Sequence, residues 1–550
     1  MAGGHLRPRL TRPPPELLLL GAVVGVVAAF ALVPAGALFV RSVASAGGWS
    51  AFSRVAADPA DRTAFSNSLV QGGLSAAVAV AVGYPAGVFV GRYRWFGRTT
   101  VRSALLLPFL LPSLVMVLGV LDLFGPNGLL GGPEPGWRWF SRGLPGVISV
   151  NLFYNVPIVV VLTATGCEAS SSALEETVAS LGGTPARAFR EAWAAPSLVG
   201  AACGGLLTFV LSALSFAPPL LLCGNRCTTV EVQVYQLAWV AGEPAAAGVV
   251  ALLLVAAFLA PALVYVLLTR RLRPARGRTY RARPFPRRSP VAWALGAVFG
   301  AVLAAETALV GAVVVRSLVP AGPGGFAAGW RSLGSAATAA HIGISLPGAV
   351  GNTLFFAALA AAVGIVLAVA SSFVTARRPA AAGPLGLLVF VPVLLSPVVL
   401  AQALASFWQP LWGGSADVWV LIVLSQALLG LPFALQSLEI PLAGLPRASA
   451  ESATALGAGS WGAFVDAELP RVRRGLQSAL LFAFALGLGE FTATYFLITP
   501  QSQFRTLPVA VYSLTEGRQV EAAGAAAALL LGLSLVVFAL IVATGSDERN

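Results

Sequence analysis

Apolar residues in this chain come in long unbroken runs, without the alternation of a surface strand or the stripe of a surface helix. Twelve segments qualify: Leu17–Val40, Leu69–Val90, Ala104–Leu121, Val147–Gly166, Leu198–Leu222 and Ala245–Thr269, then Val291–Val315, Leu354–Val374, Leu385–Leu404, Val418–Leu438, Leu476–Leu497 and Ala522–Thr544. A bilayer core about 30 Å thick takes about 20 helical residues to cross, so each run is read as a transmembrane helix. A membrane barrel would instead show shorter strands of alternating polarity. The first run is too long for a signal peptide, whose apolar stretch spans about 7–15 residues, and it follows Arg7, Arg9 and Arg12. It is therefore read as an uncleaved span. The expected fold is all-α and polytopic, with about twelve spans.

Composition agrees. The 550 residues are 57% hydrophobic and 10% charged, against about 25% charged in soluble proteins. All 35 basic residues are Arg, and the formal charge is +13. Such a balance would suit nucleic acid, but the Arg residues sit in short bursts between apolar runs, which a membrane surface explains better. With the N-terminus placed inside, 25 Arg fall in cytoplasmic segments and 10 outside. That asymmetry follows the positive-inside rule and places both termini in the cytoplasm of a multi-pass plasma (inner) membrane protein. Nine Arg and four Pro lie in the linker Arg270–Pro290, read as an extended cytoplasmic connector and inside anchor.

The sequence repeats itself. Glu176-Thr-Val-Ala-Ser-Leu181-Gly182 matches Glu451-Ser-Ala-Thr-Ala-Leu456-Gly457, and Phe189 and Phe464 follow each Glu by 13 residues. The displacement is 275, half the chain. Asn67-Ser-Leu69 resembles Asn352-Thr-Leu354, Pro108 resembles Pro392, and Thr229–Tyr235 resembles Thr506–Tyr512. Six spans per half is an even number, so both halves enter from one side and form a parallel repeat around a central pathway. The expected units are 1–269, the linker 270–290, and 291–550.

The loops after the fourth and tenth spans, 167–197 and 439–475, are long for connections between spans. In the first, Glu176 to Leu181 reads as helical. Gly182-Gly183 ends it at a left-handed cap, and Thr184-Pro185 suits the start of another helix. Gly457, Gly459 and Ser460 repeat the pattern. Each loop is expected to be a short helix, a Gly turn and a second short helix: a docking knob, or, more blandly, an interfacial helix pair.

These residues resemble the loop motif of permeases in ATP-binding-cassette importers, which has Glu-Ala-Ala, a Gly six residues after the Glu, and a late Leu-Pro. It occurs here as Glu176…Gly182…Pro196 and Glu451…Gly457…Leu469-Pro470. Thr177-Val178 replaces both Ala residues of the first copy, Ser452 replaces one in the second, and Pro196 lies one residue late without its Leu. The resemblance implies coupling loops seated on two copies of an ATP-binding subunit, carried by Glu176, Leu181, Gly182, Phe189 and Pro196 and by Glu451, Leu456, Gly457, Phe464 and Pro470. It also implies an extracytoplasmic solute-binding protein. Ser215–Gly224 with Thr229–Tyr235, and Gly489–Thr494 with Arg505–Tyr512, resemble the half-ends of fused permeases of the ferric-iron and thiamine group, with a lean toward thiamine.

The chain has no Lys, and a P-loop needs one to reach the phosphates, so ATP hydrolysis is expected on another chain. No cofactor is expected. An intramembrane carboxylate is a functional candidate by default. Glu490, with Ser215, is the substrate-pathway candidate, ahead of Glu306. Asn151, Asn155, Gln426 and Ser215 also fit helix-packing hydrogen bonds. Cys223 and Cys227 are read as free thiols before a disulfide. His5 and His341 are too few for a metal site or a nucleophilic triad. The rival reading is a twelve-helix proton-coupled facilitator, which Gly91–Arg98 faintly echoes without that family's Asp.

Overall fold

A computed structural model describes residues 14–546 except 46, 106, 132–134, 171, 225, 270–279, 320–324, 413–416, 447 and 499–501. The first part of the Arg-rich linker, His5 and both chain ends thus lie outside the described residues.

In the first half, α1 (Pro15–Ser45) and α2 (Pro59–Arg92) are continuous. They are followed by the two-residue strand β1 (Tyr93–Arg94), then α3 (Ser113–Phe124), α4 (Gly143–Glu168), α5 (Ser172–Ser180), α6 (Ala195–Ala213), α7 (Ala217–Leu222), α8 (Val230–Tyr235) and α9 (Pro244–Thr269). The second half, after strand β2 (Arg283–Pro284), repeats the order. It runs α10 (Pro290–Leu318), α11 (Leu346–Arg377), α12 (Pro379–Leu394), α13 (Pro397–Leu411), α14 (Val418–Ala443), α15 (Ala448–Ala455), α16 (Arg473–Gly489), α17 (Thr492–Leu497), α18 (Leu507–Glu516) and α19 (Val520–Ser546). The polytopic all-α class is as expected.

About twelve spans are expected, and not all of them are single unbroken helices. Nine helices among the described residues are long and apolar enough to cross a membrane. The third and ninth segments are bent pairs: Thr100–Leu110 meets α3 at 98°, and α12 meets α13 at 88°. Proline stands at both bends: Pro112 and Pro397 lie where each second helix begins and cannot continue the hydrogen-bond ladder of the first. The fifth and eleventh segments break at Ser215-Phe216 and Glu490-Phe491, between α6 and α7 and between α16 and α17. The interrupted segments thus occupy matching places in the two halves. Non-helical backbone at membrane depth persists only where protein or a cavity satisfies it.

Small residues set the packing of the unbroken helices. A Cβ on Gly87 of α2 would lie 2.5 Å from the Cβ of Thr163 on α4, so only glycine permits that approach.

Two expectations are corrected. Cys223 and Cys227 are joined in a disulfide: Gly224, at φ 54°, turns the chain and leaves the Cα atoms 5.0 Å apart, within bridging range. The second part of the linker is also no free connector. Strand β2 pairs parallel to β1, Tyr93 opposite Arg283, and Phe285 packs edge-on against Phe89, Tyr93 and Trp293. Aromatic side chains inside an Arg- and Pro-rich segment give it apolar surface to bury.

Candidate functional site

The four helix breaks converge. Between them lies a cavity of about 320 Å³, lined by Ser113, Asn151, Tyr154, Asn155, Ser215, Phe216, Pro397, Gly489, Glu490 and Thr492 among others. Ser215 and Glu490, the two pathway candidates, therefore face one space from opposite halves. Glu490 is its one carboxyl-bearing lining residue among the described residues. Its carboxyl turns onto its own chain, where Oε1 accepts from Ala493 N at 2.6 Å and Oε2 from Thr494 N at 3.0 Å and Thr494 Oγ1 at 2.6 Å. This holds the α16–α17 break open and fixes the carboxyl, with both lone pairs of Oε2 taken by Thr494.

Ser215 receives the Gln71 amide at 2.7 Å. Asn155 donates to Asn151 O at 2.7 Å and to Ser212 Oγ at 3.2 Å. Asn151 and Asn155, read above as packing amides, both pack and line the cavity. Gln426 donates to Thr494 Oγ1 and does not line it. Glu306 sits on α10, off the cavity lining.

An aromatic cluster adjoins the cavity. Phe216 stacks on Phe491 across the two halves at 6.2 Å, and Tyr495 lies 4.8 Å from Tyr512 and 5.9 Å from Tyr235. Phe491 also meets Tyr512 at 5.2 Å, and Phe496 meets both Phe216 and Tyr235. The repeat spacing pairs Phe216 with Phe491 and Tyr235 with Tyr512. All four lay inside the quoted motifs, so repeat symmetry was the signal that could have singled them out. The structure also seats Glu231, fully buried, against Ser396 at the α12–α13 bend. No local pattern marks that contact between halves.

The two long loops share one backbone. In the first, Gly182 takes φ 78°, with Gly183 N donating to Val178 O and Gly182 N to Ala179 O. In the second, Gly457 takes φ 91°, with Ala458 N donating to Ala453 O and Gly457 N to Thr454 O. Both are Schellman caps, which need a left-handed residue. Thr184 then caps Pro185–Phe189, and Gly459 precedes Ser460–Ala463. Leu181 is 81% exposed and Leu456 is 90% exposed, each at the tip beside its exposed Glu176 or Glu451. An apolar tip that projects freely in both copies suits insertion into another protein. Phe189 and Phe464 lie below the tips, Phe464 fully buried. Pro196 starts α6, and Pro470 lies in the turn that enters α16.

Unforeseen ion pairs fasten these loops. Glu175 is 2% exposed and accepts from Arg92 at 2.6 Å, Arg283 at 3.1 Å and Trp193 Nε1 at 2.8 Å. Arg281 N donates to Ser172 Oγ at 2.9 Å, and the Tyr280 hydroxyl donates to Gly91 O while accepting from Arg98 at 2.9 Å. Burial pushes the Tyr280 phenol above its ordinary pKa, which keeps that O–H available as a donor. In the second half, Arg377 grips Glu468 with two bonds, 3.2 and 2.9 Å, and also reaches Ser460 O at 3.3 Å. Arg92 and Arg377 both close the second helix of their half. Trp193 Nε1 aside, these contacts cross 83 or more residues of sequence, so no local signal announces them.

No family model matches the chain. Among curated proteins, it is 27% identical over 469 residues to the thiamine transport system permease protein of Salmonella typhimurium, covering 82% of this chain and 83% of that one. The Escherichia coli K12 thiamine transport system permease is 26% identical over 471 residues, with the same coverage. A probable molybdenum ABC transporter permease protein of Haloferax volcanii is 30% identical over 204 residues, 36% of this chain and 71% of that one.

Proposed function

Because this chain belongs to the permease subunits of ATP-binding-cassette transporters, we propose that it forms the membrane pathway of an importer for thiamine. The observation that carries the substrate is the cavity wall: its one carboxyl among the described residues is that of Glu490. Thiamine is a cation and favours an ionised carboxyl beside it, whereas an oxyanion such as molybdate opposes one. A ferric ion would ask for several oxygen or nitrogen ligands at once, and the wall offers one carboxylate. The matches that run through both halves are to proteins named for thiamine; the Haloferax match spans 36% of the chain.

On this reading the halves 1–269 and 291–550 line the pathway, and both termini lie in the cytoplasm. The loops 167–197 and 439–475 seat two copies of a separate ATP-binding subunit. Glu176, Leu181, Gly182, Phe189 and Pro196, with Glu451, Leu456, Gly457, Phe464 and Pro470, build the two knobs. The paired exposed leucines Leu181 and Leu456 support that role, as does the wider Arg content of the same side. An extracytoplasmic binding protein delivers solute to the other face. The cluster around Phe216 and Phe491 closes the cavity and parts during transport.

The test is uptake of labelled thiamine and labelled molybdate by cells with and without this chain, with and without an ionophore while ATP is held constant. Loss of thiamine uptake on deletion, with ionophore-resistant uptake in the intact strain, is expected. Collapse under ionophore would replace this reading with the proton-coupled facilitator, and loss of molybdate uptake alone would overturn the substrate.

A further inference from the structure

The first helix of each half lies against the other half: α1 packs on α11, and α10 packs on α2. The space beside each long loop is treated differently in the two places. Beside 167–197, Tyr84 of α2 and Leu295 of α10 pack against a buried cluster around Val88 and Trp193. Tyr280 of the linker joins them, edge-on to Trp193 at 6.2 Å. Val369 of α11 lies 285 residues after Tyr84, the displacement that also relates Arg92 to Arg377.

Beside 439–475 the matching place is a crevice of about 540 Å³ between α1, α11 and α16. Leu19, Val366, Val369, Trp461, Leu476 and Leu480 line it, and Gln477 is its one polar lining residue among the described residues. Val366 is 67% exposed, Leu480 42% and Trp461 38%, so these walls are reachable from outside. Trp461 closes the loop end, edge-on to Phe373 at 5.0 Å and stacked on Phe464 at 5.9 Å. The residue 275 places earlier, in the first loop, is Ala186.

Depth and rim say what fills the crevice. α11 is capped by Arg378 and α16 begins at Arg473, and both arginines are exposed. At 1.5 Å per residue, Val369 lies about 14 Å along its helix from Arg378, and Leu480 about 10 Å from Arg473. Arginines at the ends of membrane helices reach headgroup level, which puts the crevice at the depth of acyl chains. Water finds no polar partners on such walls, and an empty void forfeits dispersion contacts.

We propose that this crevice holds one acyl chain of an anionic phospholipid from the leaflet on the loops' side, its headgroup resting at Arg378 and Arg473. The chain does for the second loop what Tyr280 does for the first: it packs against the aromatic floor that carries the knob. The site lies apart from the cavity at Glu490 and takes no part in choosing the solute.

The experiment uses the full chain in non-ionic detergent, titrated with phosphatidylglycerol or phosphatidylcholine carrying brominated acyl chains, which quench tryptophan on contact. The Trp461 signal is the difference between wild type and Trp461→Phe. Its quenching should saturate, with a midpoint about five- to thirtyfold lower for phosphatidylglycerol, as one or two arginines beside an anionic headgroup imply. Arg378→Gln combined with Arg473→Gln should bring the two midpoints together. Val369→Phe, which fills the crevice, should abolish the saturable part; Val366→Phe serves if that variant does not fold. Quenching that grows with lipid without saturating, or that the filled variant leaves intact, is ordinary contact around the helices and overturns the site. Equal midpoints in wild type overturn the headgroup assignment. A signal that appears only after residues 2–13 are removed puts that segment in the crevice and overturns the lipid.

Discussion

The loop after the fourth segment and its counterpart 275 residues later have the same cap, the same exposed leucine and the same exposed glutamate, yet they are fastened differently. In the first, Glu175 is buried beneath Arg92, Trp193 and Arg283, and the end of the linker is stitched beside it through β1 and β2. In the second, Arg377 holds Glu468 at the far end of the loop, and no linker segment takes part among the described residues. The shape presented to a partner is kept, while the support beneath it differs. A fused chain passes its linker beside one loop only, so it can tie that loop to the start of the second half.

Seven substitutions test this comparison. Reversing charge at the tips should have the largest effect. Glu451→Arg, and equally Glu176→Arg, should reduce uptake by about tenfold or more at unchanged membrane levels, because a like charge at a desolvated interface costs several kcal/mol. Undiminished transport by both would end the docking reading, and loss in one alone would show that the loops contribute unequally.

Next comes the brace. Glu175→Ala leaves two arginines facing each other without their shared carboxylate and should destabilise the detergent-solubilised chain by about 3 kcal/mol in thermal unfolding. Glu468→Ala removes one partly buried pair and should cost about 1 kcal/mol. Equal losses would erase the contrast between the loops. Arg283→Ala isolates the linker's share. Arg283 is 47% exposed, so screening reduces its pair with Glu175 to about 0.5 kcal/mol, with Arg92 still in place. Leu181→Asp and Leu456→Asp should leave stability within about 0.5 kcal/mol, since both side chains already face solvent. Both should nonetheless abolish co-purification of the ATP-binding subunit. A fall in stability instead would mean that the tips pack against this chain itself.

Much of this was legible without coordinates. The apolar runs gave the segments because the length needed to cross a bilayer is a property of contiguous residues. The Gly182 and Gly457 turns were readable because a left-handed cap favours a residue without Cβ, and Thr184-Pro185 because cap and first-turn preferences act over three residues. The breaks at Ser215 and Glu490 were less visible: a polar residue inside an apolar run marks cost, and the run alone does not say whether the helix stops there. The bends at Pro112 and Pro397 could have been inferred from proline, yet proline elsewhere, as at Pro85 and Pro157, sits inside continuous helices. Neighbouring helices decide which prolines bend a segment sharply.

The sequence by itself determined an all-helical membrane chain, its internal repeat and the backbone form of the two exposed knobs, because each is written in residues near one another. The tertiary structure alone decided what crosses between distant segments. It placed Asn155 and Glu490 on one cavity, set Glu231 against Ser396, bridged Cys223 to Cys227, and folded the linker onto Glu175. Such contacts join residues through space, and their energies depend on which groups are desolvated together, a property no single segment carries.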